Sequence, residues 1–513
     1  MRGAKPAPPL ATVLYASVLA IAVCGLVYEL CAGALATYLL GNSITQFSLV
    51  IGAYLSAMGV GSFLSRYLER DLLARFVEIE IAVALIGGFE APILFALFAY
   101  SPAFRLLLYA FVALVGVGVG LELPLLIRIL ERSHALKDLV ARVMFLDYVG
   151  ALIASVLFPM VLVPRLGLLR TTLVFGLVNA LVALASTVVF DDGSPARTRL
   201  RVLAGAAIAA LAAGLAGAGW WERRIEQDLF ADPVVLRAVS PYQHLTITSR
   251  EGDTRLFIDG QLQFSTIDEY RYHESLVHPA MASASAARRV LVLGGGDGLA
   301  VREILKWPEV ERIVLVDLDP LMTELFTDRS ELAALNHRSL SDPRVEVVNA
   351  DAFLWLQGAP ALDRTFDVAI VDFPDPNDYG LGKLYTTRFY RLLAGHLAPG
   401  AAISVQATSP MWSPEAFSCI AATIAAAGLE ARPYHVYVPA FGEWGFVLAG
   451  VGALPIPRRP LPDDLRFLDP AGLDGLFMFP KDLAPRPAPE NRLDNQVLVR
   501  LYEQDWRKLQ GYR

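Results

Sequence analysis

The sequence predicts a multi-span α-helical membrane domain followed by an α/β domain with a doubly wound, largely parallel sheet. Three observations carry this. Apolar runs recur through the first 220 residues, most of them near the roughly 20 residues a helix needs to cross a bilayer. From about residue 234 short segments alternate polar and apolar residues, the period of strands. From Arg288 onward apolar strands alternate with amphipathic helices, the pattern of a parallel sheet.

The composition agrees. The chain has 513 residues, too many for one ordinary domain. Hydrophobic residues make up 55% and charged residues 19%, an oily balance whose excess lies before residue 220. The net charge of −7 and the lack of a basic cluster argue against a nucleic-acid partner. Cys24, Cys31 and Cys419 fit neither a disulfide framework nor a zinc site.

Residues 1–222 are assigned to the membrane domain, with about seven helices. Spans are expected at 11–40, 44–65, 77–99, 104–130, 141–163, 170–190 and 201–220. The first run is too long for a cleaved signal peptide and reads as one tilted helix or a short hairpin. Gly116, Gly118 and Gly120 favour close helix packing. Glu122 precedes Pro124 in "GLELPLL", which predicts a broken helix. Arg2 and Lys5, then Arg66, Arg70 and Arg75, then Arg128, Arg132, Lys137 and Arg142, then Arg197, Arg199 and Arg201 make every second loop basic. Basic loops face the cytoplasm. Seven simple crossings then put the second half outside. A first run that crosses twice, or a run 202–219 that does not cross, would return it to the cytoplasm. Glu29, Glu90, Glu122 and Asp147 lie in or beside the spans. Intramembrane acids read as a cation path or, more commonly, as helix-to-helix hydrogen bonding.

Residues 234–280 read as a β-hairpin subdomain with Asp259-Gly260 as a turn. It ends in a helix whose first turn carries Asp268 and Glu269. Residues 281–455 form the expected α/β domain, and 456–513 a carboxy-terminal extension. In "RRVLVLGGGDGLAVREILKW" a strand, a glycine loop and a helix follow one another, and "RIVLVDLDP" completes a βαβ unit. Strand ends carry acids: Asp297 in the glycine loop, then Asp317, Asp351, and Asp372 with Asp375 in "VDFPDPND". Ligands of such sheets bind there. Gly294 and Gly296 allow close backbone approach. Asp317 stands about 20 residues beyond the loop, where an acid hydrogen-bonds ribose. Asp351 is placed to meet an adenine edge. The loop is neither G-x-G-x-x-G nor a P-loop. Asp297 within it repels pyrophosphate and attracts a cation, a sulfonium or an amine. The fold class is therefore Rossmann-like, of the S-adenosylmethionine-dependent methyltransferase type.

"SPYQ", "DGQLQFSTIDEYRYHESLVHPAM", "VLVLGGGDGLAVREILK", "VDLD", "NADAF", "VDFPDP", "LYTTRFY" and "WGF" together resemble the polyamine aminopropyltransferases, or spermidine synthases. The resemblance runs from about Tyr242 to Ala449, and the membrane-fused layout is similar to a membrane-bound bacterial branch. It implies a transferase that moves the aminopropyl group of decarboxylated S-adenosylmethionine to a diamine, putrescine first, with no other cofactor and no metal. By matching motif, Asp372 would be the general base. Gln243, Gly294, Gly296, Asp297, Asp317 and Asp351 would bind the donor. Tyr272, His273 and Asp375 would bind the acceptor, with Gln263, Tyr385 and Glu443 as further candidates. The implied partners are a polyamine substrate, the lipid bilayer and a second copy in a homodimer. The expected location is the inner membrane, with the α/β half cytoplasmic. The family has Glu where this chain has Asp317, "DSTDP" where it has "DFPDP", and a tyrosine-bearing "PTYPSG" where it has "VPAFGEWGF". The last difference leaves the acceptor open. A methyltransferase or sulfonium-cleaving enzyme on intact S-adenosylmethionine, and a polyamine transporter with a sensing or catalytic soluble half, are the alternatives. "NDYGLGK" after the acid loop is expected to form a lid, and His278 to be structural.

Overall fold

The computed structural model describes residues 8–40, 43–100, 103–131, 136–189, 194–358, 365–453 and 456–510. Arg2, Lys5 and Arg132 lie outside them. The chain divides into two compact units, Met1–Ala231 and Asp232–Arg513.

The first unit is helical: α1 (Pro8–Leu40), α2 (Ser43–Leu64), α3 (Leu72–Gly88), α4 (Glu90–Tyr100), α5 (Phe104–Leu130), α6 (Leu136–Leu157), α7 (Val163–Val189) and α8 (Pro195–Leu229). Among the described residues, six apolar helical stretches are long enough to cross a membrane. The first run is one helix, so the hairpin alternative is set aside. The fifth stretch covers 53 residues, Leu136–Val188, about twice what one crossing needs. Gly167, at φ 73° and ψ 172°, breaks it. The expected break at Pro124 is corrected: α5 runs on through it, since proline removes one backbone bond that neighbouring helices can compensate.

The glycines of α5 act as expected. A Cβ on Gly120 would lie 2.2 Å from the Met58 carbonyl, and one on Gly116 would lie 2.9 Å from the Tyr54 carbonyl. Backbone therefore packs on backbone between α2 and α5. Glu122 is fully buried and its carboxyl meets that of Glu80, an acid absent from the sequence-based set. No N–H or O–H of another described residue reaches their oxygens. Glu90 and Glu29 are buried as well, while Asp147 is half-buried.

The second unit opens with the antiparallel sheet β1 (Val234–Val239), β2 (His244–Arg250), β3 (Asp253–Ile258) and β4 (Gln261–Ser265). Both tight turns, Glu251-Gly252 and Asp259-Gly260, have two positive φ values, as a two-residue hairpin of the right twist requires. Helix α9 (Glu269–Ser283) leads to the main sheet. Its strands are β5 (Arg289–Gly294), β6 (Arg312–Asp317), β7 (Val345–Asn349), β8 (Phe366–Asp372), β9 (Leu397–Gln406), β10 (Glu430–Val438) and β11 (Gly442–Gly450). They lie in the order β10-β11-β9-β8-β5-β6-β7. The central five are parallel. β10 and β11 add an antiparallel edge.

The connecting helices are α10 (Leu299–Ile304), α11 (Pro320–Asp328), α12 (Ser330–Leu335), α13 (Ala352–Gly358), α14 (Tyr379–Gly382), α15 (Thr387–Ala394) and α16 (Pro414–Ala426). The extension adds α17 (Pro470–Gly475) and α18 (Val497–Gln510). Val290 and Val292 face one core and Leu291 and Leu293 the other. Burial on both faces explains why this strand is a continuous apolar run. The chain runs β5, β6, β7 to one side, then returns to place β8 beside β5. That reversal makes the crevice between β5 and β8 the expected ligand site.

Candidate active site

Gly294 and Asp372 are partners across that crevice. Gly294 has φ 80°, and a Cβ there would lie 2.1 Å from the Asp372 carbonyl. Only glycine fits both demands. Gly294→Ala is expected to destabilise this unit by at least about 2 kcal/mol, from left-handed strain plus the clash. Faster hydrogen exchange of β5 and β8 amides would show it. Gly296 serves a different approach. Its N–H donates to Asp317 Oδ2 at 3.1 Å, and a Cβ would sit 2.8 Å from that carboxyl.

The strand-end acids do not carry equal free capacity. Asp297 is held by the Leu299 N–H at 2.9 Å, and its main-chain carbonyl accepts from Asn336 at 2.8 Å. Burial raises its carboxyl, and His273 opposes this. Asp317 takes a second N–H, from Asp319, at 2.9 Å. Burial pushes it up to about 6 against those two backbone donors. Asp351 caps α13 through the N–H groups of Phe353 and Leu354 and pairs with Lys383 Nζ at 2.6 Å. The adenine contact expected of it would share a carboxylate that already accepts from three donors.

Asp372 is the most directly poised. The Tyr272 hydroxyl donates to its Oδ1 at 2.6 Å. Burial pushes Asp372 up to about 6; Asp297 adds to the rise, while His273 and the Tyr272 bond pull it back. A carboxylate near 6 at the head of a crevice is tuned for proton transfer near neutral pH. The Tyr272 ring rests against Phe446, Phe441 and Trp444, at centroid distances of 5.3, 6.2 and 6.5 Å. That wall is apolar and aromatic, suited to a methylene chain and to ammonium groups.

His273 is buried and its Nδ1 lies 2.8 Å from Glu269 Oε2. Its ring is raised despite burial, because Glu269 holds the proton there. Glu269 also takes both terminal nitrogens of Arg302, at 3.0 and 2.9 Å. Glu269 is thus part of a buried ion network, where the sequence suggests only a helix start. Asp268 does not cap α9 by its side chain; it accepts the Ala440 N–H at 2.6 Å. His278 is structural as expected, between Glu303 and Trp307.

Asp375 is buried and accepts from three side chains. Gln406 Nε2 donates to Oδ1 at 2.7 Å, and Thr408 and Tyr502 donate to Oδ2 at 3.1 and 2.9 Å. Tyr385 supports the same loop, donating toward Gln406 Oε1 at 2.8 Å and lying 3.1 Å from the Pro374 carbonyl. The stretch after the loop is a short helix, α14, capped by Asp378 and held by Asn491. Gln243 follows a turn whose Ser240 donates to Asp319 at 2.8 Å, which brings it to the end of β6. Gln263 gives its amide to the Gln261 carbonyl at 3.2 Å. Glu443 is turned away: its carboxylate pairs with His435 at 2.9 Å, on the opposite β11 face from Trp444.

Sequence reasoning missed Gln406, Thr408, Tyr502 and Arg302. The first two close β9 with polar residues, "SVQAT", the same strand-end signal that marked the acids. Tyr502 and Arg302 sit on ordinary amphipathic helices and carry no local signal.

The spermine/spermidine synthase domain model matches residues 269–453. Polyamine aminopropyltransferase 2 of Ralstonia nicotianae is 53% identical over 502 residues, covering 96% of this chain and 98% of its own. The polyamine aminopropyltransferase of Leptospira interrogans is 47% identical over 498 residues, covering 97% and 99%. A solved spermidine synthase, in complex with the transition-state analogue AdoDATO, is 26% identical over 49% of this chain and 88% of its own, with a TM-score of 0.45. The chain belongs to the polyamine aminopropyltransferase family and is a transferase of aminopropyl groups.

Proposed function

We propose that the chain moves the aminopropyl group of decarboxylated S-adenosylmethionine to a diamine, with putrescine giving spermidine. The observation that carries this is Asp372, half-buried at the reversal point of the sheet, raised to about 6 and held by Tyr272. An ammonium has no lone pair, so the attacking nitrogen must first shed a proton. Asp372 accepts it. The nitrogen lone pair then forms the new bond to the aminopropyl carbon as the C–S bond breaks. Sulfur keeps that electron pair, and methylthioadenosine leaves neutral. Asp297 faces the aminopropyl ammonium, and Asp317 and Asp351 the adenosyl group. Alignment of the two reactants supplies much of the rate.

The test is mass-spectrometric analysis of products from the purified chain, with decarboxylated and intact donors and a panel of diamines. Methylthioadenosine and spermidine from the decarboxylated donor and putrescine are expected. Turnover of the intact donor alone would overturn the proposal.

The first unit supports placement in a bilayer. Leu106 and Met160 are 73% and 71% exposed on helices otherwise packed together, an apolar exterior that water does not favour. We place the α/β unit on the cytoplasmic side because the sulfonium donor is made there, against the outward placement that seven crossings from a cytoplasmic amino terminus would give, and infer a homodimer from the resemblance.

A further inference from the structure

The family match ends at residue 453, yet the shell around Asp375 is completed from beyond it. We infer that Tyr502, on α18, is a positioning residue that fixes Asp375 for the acceptor diamine, making the carboxy-terminal extension part of the acceptor site. This rests on the proposal that Asp375 faces the acceptor.

The geometry is specific. A carboxylate offers about four lone-pair directions, and three of those on Asp375 are taken by Gln406, Thr408 and Tyr502. The orientation of the remaining one is therefore set by protein donors. Two of them come from the end of β9 and the residues just after it, and the third comes from a helix residue 127 positions beyond Asp375. Tyr502 is itself 7% exposed, so its hydroxyl is not exchanged for water at little cost.

The helix that carries it is fastened at several points. Asp505 accepts the Glu415 N–H at 3.0 Å and the Ala416 N–H at 3.3 Å, at the start of α16. Leu498 and Val499 are buried. Asn491, just before the helix, donates to the carbonyls of Gly382 and Tyr385 at 3.0 and 3.1 Å. A Cβ on Gly382 would lie 2.6 Å from Val499, so the extension packs directly on α14. The segment that follows the acid loop and the acid itself are both held by the extension. A substrate ammonium that enters here meets a carboxylate whose direction depends on α18.

Tyr502→Phe removes one hydroxyl and keeps the ring. The expected result is a rise of about tenfold or more in KM for putrescine, the loss of one hydrogen bond to a charged group. The donor KM and the kcat at saturating diamine should stay close to wild type. Thr408→Val, which strips a donor from the same carboxylate oxygen but lies just past the end of β9, should give the same pattern. The acid limb of kcat/KM for the diamine should also move to higher pH, because the carboxylate form has lost a donor. An unchanged putrescine KM in Tyr502→Phe overturns the inference. So does an equal loss of donor and diamine affinity, which would mark α18 as a purely structural element. If the wild-type chain makes no spermidine, the proposed function fails first. Calorimetric binding of putrescine to wild type and Tyr502→Phe then still decides the role of Tyr502.

Discussion

Asp372→Asn should lower turnover by about 10²–10⁴-fold, the usual contribution of a positioned general base. Donor binding should be kept, since Gly294, Gly296, Asp297 and Asp317 hold their own contacts. Asparagine is nearly isosteric and still accepts the Tyr272 hydroxyl through its carbonyl oxygen, so the crevice keeps its shape. What it loses is the ability to take a proton. The pH profile offers an independent check. A base must be ionised to act, so activity should rise with pH through the carboxyl's own range. Burial places that range at about 6, two units above an ordinary aspartate. An acid limb near 6 in the wild-type profile, absent from the residual activity of Asp372→Asn, identifies the titrating group. Full turnover in the variant would remove Asp372 from the mechanism.

How much of this was legible in the sequence follows from what kind of signal each residue leaves. Asp297, Asp317, Asp351 and Asp372 follow apolar strands, and a parallel sheet must gather its strand ends on one edge. Period and spacing were enough to bring them together. The reversal between β5 and β8 was not legible, because strand order depends on crossovers that leave no local mark. Without it, the pairing of Gly294 with Asp372 stays hidden. Asp375 shows the second limit. Its place beside Asp372 was plain from "VDFPDP", but its carboxylate accepts from three side chains, one of them the distant Tyr502. Glu443 shows a third. It was close in sequence to the aromatic wall, yet strand alternation sends its carboxylate to His435 on the other face. In the first unit, periodicity marked Glu122 as intramembrane but could not name Glu80 as its partner, since α3 and α5 meet only in the folded bundle.

The largest expected effect on stability lies at Arg302, away from the reacting atoms. Its guanidinium is 9% exposed and holds Glu269 with two bonds and Glu303 with a third, at 2.9 Å. Arg302→Met keeps the length and the apolar stem but removes the charge. Glu269 would then be a buried carboxylate left with His273 alone. Breaking a buried pair from one side costs about 3–5 kcal/mol. Replacing Arg302 and Glu269 together, both by Met, should cost less than Arg302→Met, because no carboxylate is stranded at 269. That ordering separates an ion-network effect from lost packing, which would make the double variant worse. Hydrogen exchange of β5 and α10 amides in the full chain reads the change without assuming that the two units unfold together. The pH arm has a fixed sign. The pull of His273 and Arg302 overcomes the burial that would raise Glu269, and holds it down at about 2 from its ordinary 4.5. A depressed carboxylate stabilises the fold above its unfolded value and loses that contribution as pH falls through the folded one. Wild-type protection of β5 and α10 should therefore decline as pH drops from about 4.5 toward 2. In Arg302→Met that decline should be smaller and end at higher pH, because without the cation Glu269 sits closer to its unfolded value. An identical pH dependence in the two proteins would mean that Arg302 acts by packing alone.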